Sequence, residues 1–124
     1  MNSSLLKASS WILKIAVVGF IAAASYHLLA IFMVLNNSSV LRNLVFVFLN
    51  LWCAVEVRRA KKYFVILFTV LFIQQIISHG SSVIKSLHGP VTDLLGIFVI
   101  AGITLIYFAL IFSALSPGHS KKKL

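Results

Sequence analysis

The chain has 124 residues, of which 60% are hydrophobic and only 10% charged, with a mean hydropathy of +1.05. A soluble globule of this size covers itself with polar side chains, and too few are present here, so composition excludes a soluble domain and points to a bilayer. The formal charge of +9 raises nucleic acid as a partner, but the Lys and Arg residues lie between or outside the apolar runs without interleaved aromatics. That placement excludes nucleic acid and favours anionic lipid headgroups.

Residues 1–10 form a polar, basic lead-in. The first apolar run covers 11–35, about 25 residues, which at roughly 1.5 Å each exceeds a hydrocarbon core of about 30 Å. A spanning helix follows. Lys7 and Lys14 before Ala22-Ala23-Ala24 also resemble a secretory signal with a cleavage site after about residue 24. The apolar run continues for some ten residues beyond those alanines, which a cleaved segment does not need. Gly19, Ala23, His27 and Ala30 recur at spacings of three and four, a small-residue stripe along which membrane helices approach closely.

Asn36-Asn37-Ser38-Ser39 is turn chemistry and also holds formal glycosylation acceptors. The second run, 40–57, carries Arg42 near its start and Asn43 and Asn50 within it, and spans if Arg42 reaches back to the surface. Asn43, Val47, Asn50 and Ala54 share the face expected to meet the bundle; Trp52 points nearly opposite, toward lipid. Cys53 has no second cysteine to pair with and reads as a small buried hydrophobe. Glu56 has Arg58 and Arg59 within one turn as local partners.

The connection Arg58-Arg59-Ala60-Lys61-Lys62 is short enough to force an immediate return, so the second and third helices are expected to form a hairpin. The third run covers 63–84. Gly89-Pro90 ends the loop that follows it, and a fourth helix is expected over 92–115, with Thr92 or Asp93 as its cap. Ser116-Pro117-Gly118 stops that helix, and Lys121-Lys122-Lys123 anchors the tail at the inner surface. Orientation follows from the basic residues: Lys7, Lys14, Arg58, Arg59, Lys61, Lys62, Lys121, Lys122 and Lys123 fall on one side, nine, against Arg42 and Lys85, two. The expected architecture is therefore all-α, an integral membrane antiparallel four-helix bundle with both termini cytoplasmic.

The candidate site is a polar cluster in a helix that has no need of polarity. Gln74, Gln75, Ser78 and His79, with Ser81 and Ser82, share one broad face of the third helix, continued by Leu71, Phe68 and Phe64. His27 and His79 each lie about 24 Å from the same membrane side, so the two imidazoles are expected to be level. Polar groups in hydrocarbon are costly unless answered by another group, and three readings follow: interhelical hydrogen bonding, a pocket or proton path, or two axial histidines for haem. Asn43, Asn50 and Tyr107 are secondary polar points. No metal site and no catalytic residue are expected, because no hydrolase, zincin, nucleotide or dinucleotide motif occurs.

His27-Leu28 and Gln74-Gln75-Ile76-Ile77-Ser78-His79-Gly80 together resemble a pattern of small bacterial four-helix inner-membrane proteins, over about residues 26–84. The resemblance implies four spans in a bacterial cytoplasmic membrane and no catalytic role. The functional expectation is a non-enzymatic accessory or partner subunit that works beside a larger membrane protein. A carrier or pore for a small solute or proton, and a haem or quinone redox protein, are the alternatives.

Overall fold

The structure is a computed structural model and describes residues 3–33, 39–89 and 93–115. Four helices account for almost all of them: α1 (Ser3–Met33), α2 (Val40–Glu56), α3 (Lys62–Leu87) and α4 (Leu94–Leu115), with a 3-10 turn over Val57–Arg59. The segments Ser4–Met33, Val40–Arg59, Lys62–Leu87 and Leu94–Leu115 are each long and apolar enough to cross a membrane. The protein is a multi-pass helical bundle. Many of its large apolar side chains face outward, with Phe32, Leu41, Phe98 and Leu115 all more than 70% exposed, the reverse of a soluble surface and the pattern lipid demands.

Capping decides where the helices begin. Ser39 is extended and its hydroxyl accepts the Arg42 backbone N–H at 3.3 Å, starting α2 one residue after the polar turn. Asp93 does the same for α4, accepting the Gly96 N–H at 2.8 Å. α1 starts eight residues before the apolar run, because a helix outside hydrocarbon needs no apolar side chains to persist. Of the expected boundaries, Asn36 to Ser38, Pro90, Thr92 and everything from residue 116 onward lie outside the described residues.

α2 turns into α3 through Ala60, a buried residue in the left-handed conformation, φ 43° and ψ 37°. A left-handed alanine is costly and persists where surrounding packing fixes it. The buried core gathers at this end: Leu13 and Ala16 of α1, Cys53 and Val57, Phe64 and Phe68 of α3, and Ala109 and Leu110 of α4. Phe68 meets Phe20 edge-on at 6.1 Å between ring centroids and Phe64 at 5.6 Å. Lipid tails are as apolar as these rings, so their contribution is close packing and dispersion, not removal from water.

Two expectations are revised. Trp52 is half-buried and sits edge-on to Phe64, with centroids 5.3 Å apart. The short connection brings Phe64 of α3 up against that side of α2, so α2 has two packed faces where a single wheel assigned one. The hairpin is also looser than its short connection implies. Among the described residues, extensive close backbone approach joins α1 to α2, α3 to α4 and α1 to α4, but not α2 to α3. The large rings of Trp52 and Phe64 stand between α2 and α3 near Ala60, whereas buried Ala16, Ala24 and Ala30 let the other helices close on α1.

Candidate functional site

Taken from the Asp93 end of the molecule, the polar residues sort into three groups. The first links α1 to α2. His27 Nδ1 lies 3.0 Å from the Asn43 side-chain oxygen, which accepts the imidazole N–H. Asn43 is only 1% exposed. The His27 ring stacks on Phe46 at 4.9 Å and 15°, and Tyr26 stands edge-on to its other side at 5.4 Å. Aromatic walls thus fix the ring's plane, and the amide fixes its tautomer.

The second group links α3 to α4. The Ser82 hydroxyl donates to Asp93 Oδ2 at 2.7 Å, the Asp93 backbone N–H donates to the Ser86 hydroxyl at 2.9 Å, and Asp93 Oδ1 caps α4. The Gly96 N–H, the Ser82 hydroxyl and the charge of His79 hold the Asp93 carboxyl below its ordinary range, against a smaller opposing effect of desolvation. Gly96 makes this junction possible. A β-carbon there would stand 2.5 Å from Asp93 Oδ2 and 2.9 Å from Val83 Cγ2.

The third group is the polar face of α3. Gln75 donates to Gln74 at 2.9 Å, so these two amides answer each other within one helix. Gln74, Ser78, Ser81 and Ser82 are exposed, while Gln75 and His79 are half-buried. The face continues the line of buried Phe64 and Phe68, yet it opens outward because α2 and α3 do not stay together away from Ala60. The structure therefore brings His27 to Asn43 and His79 to the Asp93 junction, and leaves Gln74 and Ser78 facing outward.

The secondary polar points have local partners. Asn50 donates to the Phe46 carbonyl at 2.7 Å, one turn back in its own helix. Tyr107 stacks on Phe72 at 4.4 Å and 10°, with the Thr69 hydroxyl 3.3 Å from its oxygen. Among the described residues no three His, Cys, Asp or Glu side chains converge as a metal site would need.

Comparison with protein families, curated proteins and solved structures returns no match to the chain. Function therefore rests on geometry. The arrangement offers hydrogen-bond donors and acceptors on a helix face.

Sequence reasoning passed over a further polar set at the Ala60 end. Ser9 is buried in α1 and accepts a hydrogen bond from Ser113 of α4 at 3.3 Å. The signal was present: Ser9 falls in register with Leu13, Ala16 and Phe20 on the packed stripe of α1, where a serine is out of place.

Proposed function

We propose that the chain is a non-enzymatic accessory subunit of the bacterial cytoplasmic membrane, which binds a larger membrane protein through the polar face of α3. The observation that carries this reading is the exposure of Gln74, Ser78 and Ser81 on a helix long and apolar enough to span the bilayer. An amide or hydroxyl facing hydrocarbon without a partner costs roughly 1–3 kcal/mol, and a second membrane-embedded element supplies the missing partner. Interhelical hydrogen bonds of this kind contribute about 0.6 kcal/mol each on average, so several together give a modest, reversible docking surface.

The topology in this reading is an antiparallel up-and-down bundle with both termini cytoplasmic. Cross-helix pairs support the antiparallel order: late His27 with early Asn43, early Ser9 with late Ser113, and Ser82 with Asp93 beside Thr69 with Tyr107. The nine-to-two distribution of Lys and Arg supports the orientation. The resemblance carried by Gln74-Gln75 and Ser78-His79-Gly80 supports the bacterial inner membrane as the setting.

Site-directed photo-crosslinking in living cells tests the reading. A photoreactive residue at Gln74 or Ser78 is expected to capture one discrete larger membrane protein. The same residue at Ile66, which is 67% exposed on an apolar part of α3, is expected to capture none. Capture of a second copy alone replaces the accessory role with self-association. Solute flux in proteoliposomes that Gln74→Leu abolishes replaces it with the carrier reading.

A further inference from the structure

A cavity of about 250 Å³ opens at the Ala60 end, lined by Ser9, Ser10 and Lys14 of α1, Arg58 and Ala60 of the connection, and Ser113 of α4. Two cations and three hydroxyls converge there, a donor set without an acidic group. The whole sequence has two carboxylate side chains, Glu56 and Asp93. Glu56 is occupied: Arg59 donates to it at 2.8 Å and the Tyr63 hydroxyl at 2.7 Å. Asp93 starts α4, at the opposite end of that helix from Ser113. Neither carboxylate is thus placed to neutralise Lys14 and Arg58, which leaves both cations open to an anion from outside.

Depth says what kind of anion is at hand. Lys14 to Met33 is a stretch of about 30 Å along α1, the thickness of a hydrocarbon core. Lys14 therefore sits at the boundary with the headgroups, and the first turns of α1 stand beyond it. Trp11, 65% exposed, marks the same level; the Lys14 ammonium lies 5.0 Å from the centroid of its ring. Val18, one turn further in and 67% exposed, continues the flank with an apolar surface for an acyl chain. A guanidinium meets phosphate oxygens through paired N–H groups, an ammonium adds a point charge, and serine hydroxyls donate to the remaining oxygens.

We propose that this cavity binds the phosphate of an anionic phospholipid, held by Arg58 and Lys14 with hydroxyl donation from Ser10, while Ser113 donates to Ser9 and Ser9 to the Leu6 carbonyl in the cavity wall. The site clamps α1, the α2–α3 connection and α4 together at the membrane surface, and it is independent of what covers the polar face of α3. Free inorganic phosphate carries the same chemistry without the chains.

The purified full chain, in zwitterionic micelles at about 0.15 M salt to screen diffuse attraction, is titrated with dioleoylphosphatidylglycerol or dioleoylphosphatidylcholine, and retained lipid is read by native mass spectrometry. Phosphatidylglycerol is expected to be retained in preference to phosphatidylcholine, and Lys14→Gln with Arg58→Gln to weaken its retention by at least about thirtyfold, the loss of two charge-assisted hydrogen bonds. Lys61→Gln with Lys62→Gln removes the same charge from the same end outside the cavity and is expected to change retention by no more than about twofold. Equal losses in the two double variants, or no loss in the first, overturn the site. Ser113→Leu intrudes on the cavity with an apolar side chain and leaves both cations in place. It is expected to abolish retention, and undiminished retention overturns the proposal even where the charge variant does not fold. The two sources of phosphate, lipid headgroup and free anion, are separated by adding millimolar inorganic phosphate: displacement of the lipid overturns the lipid as the preferred ligand, and undisturbed retention supports the lipid headgroup as the ligand.

Discussion

His27 and Asn43 meet across α1 and α2 with the imidazole N–H 3.0 Å from the amide oxygen. The amide is almost fully buried, and the imidazole is half-covered by Phe46 and Tyr26. An unanswered polar group at such a site costs more than the bond itself returns, so truncating either partner is more damaging than truncating both.

Asn43→Leu is expected to destabilise the bundle by about 1–3 kcal/mol, and His27→Leu by a similar amount. The double variant should recover part of that loss, giving a coupling of about 0.6–1.7 kcal/mol in a double-mutant cycle. Reversible unfolding in mixed micelles measures it. Strict additivity would mean that the two side chains are neighbours without being partners.

The glycines of α4 separate packing from propensity. Gly96 lies against Asp93 and Val83, where a methyl group would be 2.5–2.9 Å from three heavy atoms, whereas Gly102 has nothing within 4 Å. Gly96→Ala is expected to cost about 1–3 kcal/mol by displacing the capping carboxylate and prising α4 from α3. Gly102→Ala is expected to stabilise by about 0.5–1 kcal/mol through helix propensity alone. Thermal melts of the two variants should move in opposite directions.

At the other end, Glu56 holds the turn between α2 and α3 by accepting from Arg59 on one oxygen and from Tyr63 on the other. It is the one acid among the basic residues of that connection. Glu56→Leu and Tyr63→Phe should each lower the melting temperature, and their combination should lower it by less than the sum, because both remove the Tyr63–Glu56 bond. Raised salt should narrow the difference between wild type and Glu56→Gln, since Arg59 is largely exposed.

Helix positions were legible because apolar run length and turn residues act locally, and the bilayer requires the same length of every span. Burial along α3 was legible only in part. Phe64, Phe68 and Ser78 share an angular face, yet the first two are buried and the last is exposed. A helical wheel reports direction and not the distance to the next helix, and that distance grows as α2 and α3 part beyond their aromatic contacts. The pairing of His27 with Asn43 was hidden for a related reason. Several polar side chains at one depth are interchangeable as partners until the order of helices is known. Cys53, small and apolar in character, was buried as its context required.

Asp93 gives the bundle a pH dependence of defined sign. Its carboxyl is held below the ordinary value by the Gly96 N–H foremost, then by the Ser82 hydroxyl, with the charge of His79 adding to both. A depressed folded-state value means that the unfolded chain binds the proton more readily. The stabilisation is complete above the ordinary Asp value, near pH 4, and is lost as pH falls through the lower folded-state value. Asp93→Asn keeps a capping oxygen for Gly96 and removes the charge, so the gap in melting temperature between wild type and variant isolates the carboxylate. That gap is expected to be constant from neutral pH down to about 4 and to close below it. A gap that stayed unchanged well below pH 4 would mean that the charge of the carboxylate adds nothing to the capping oxygen.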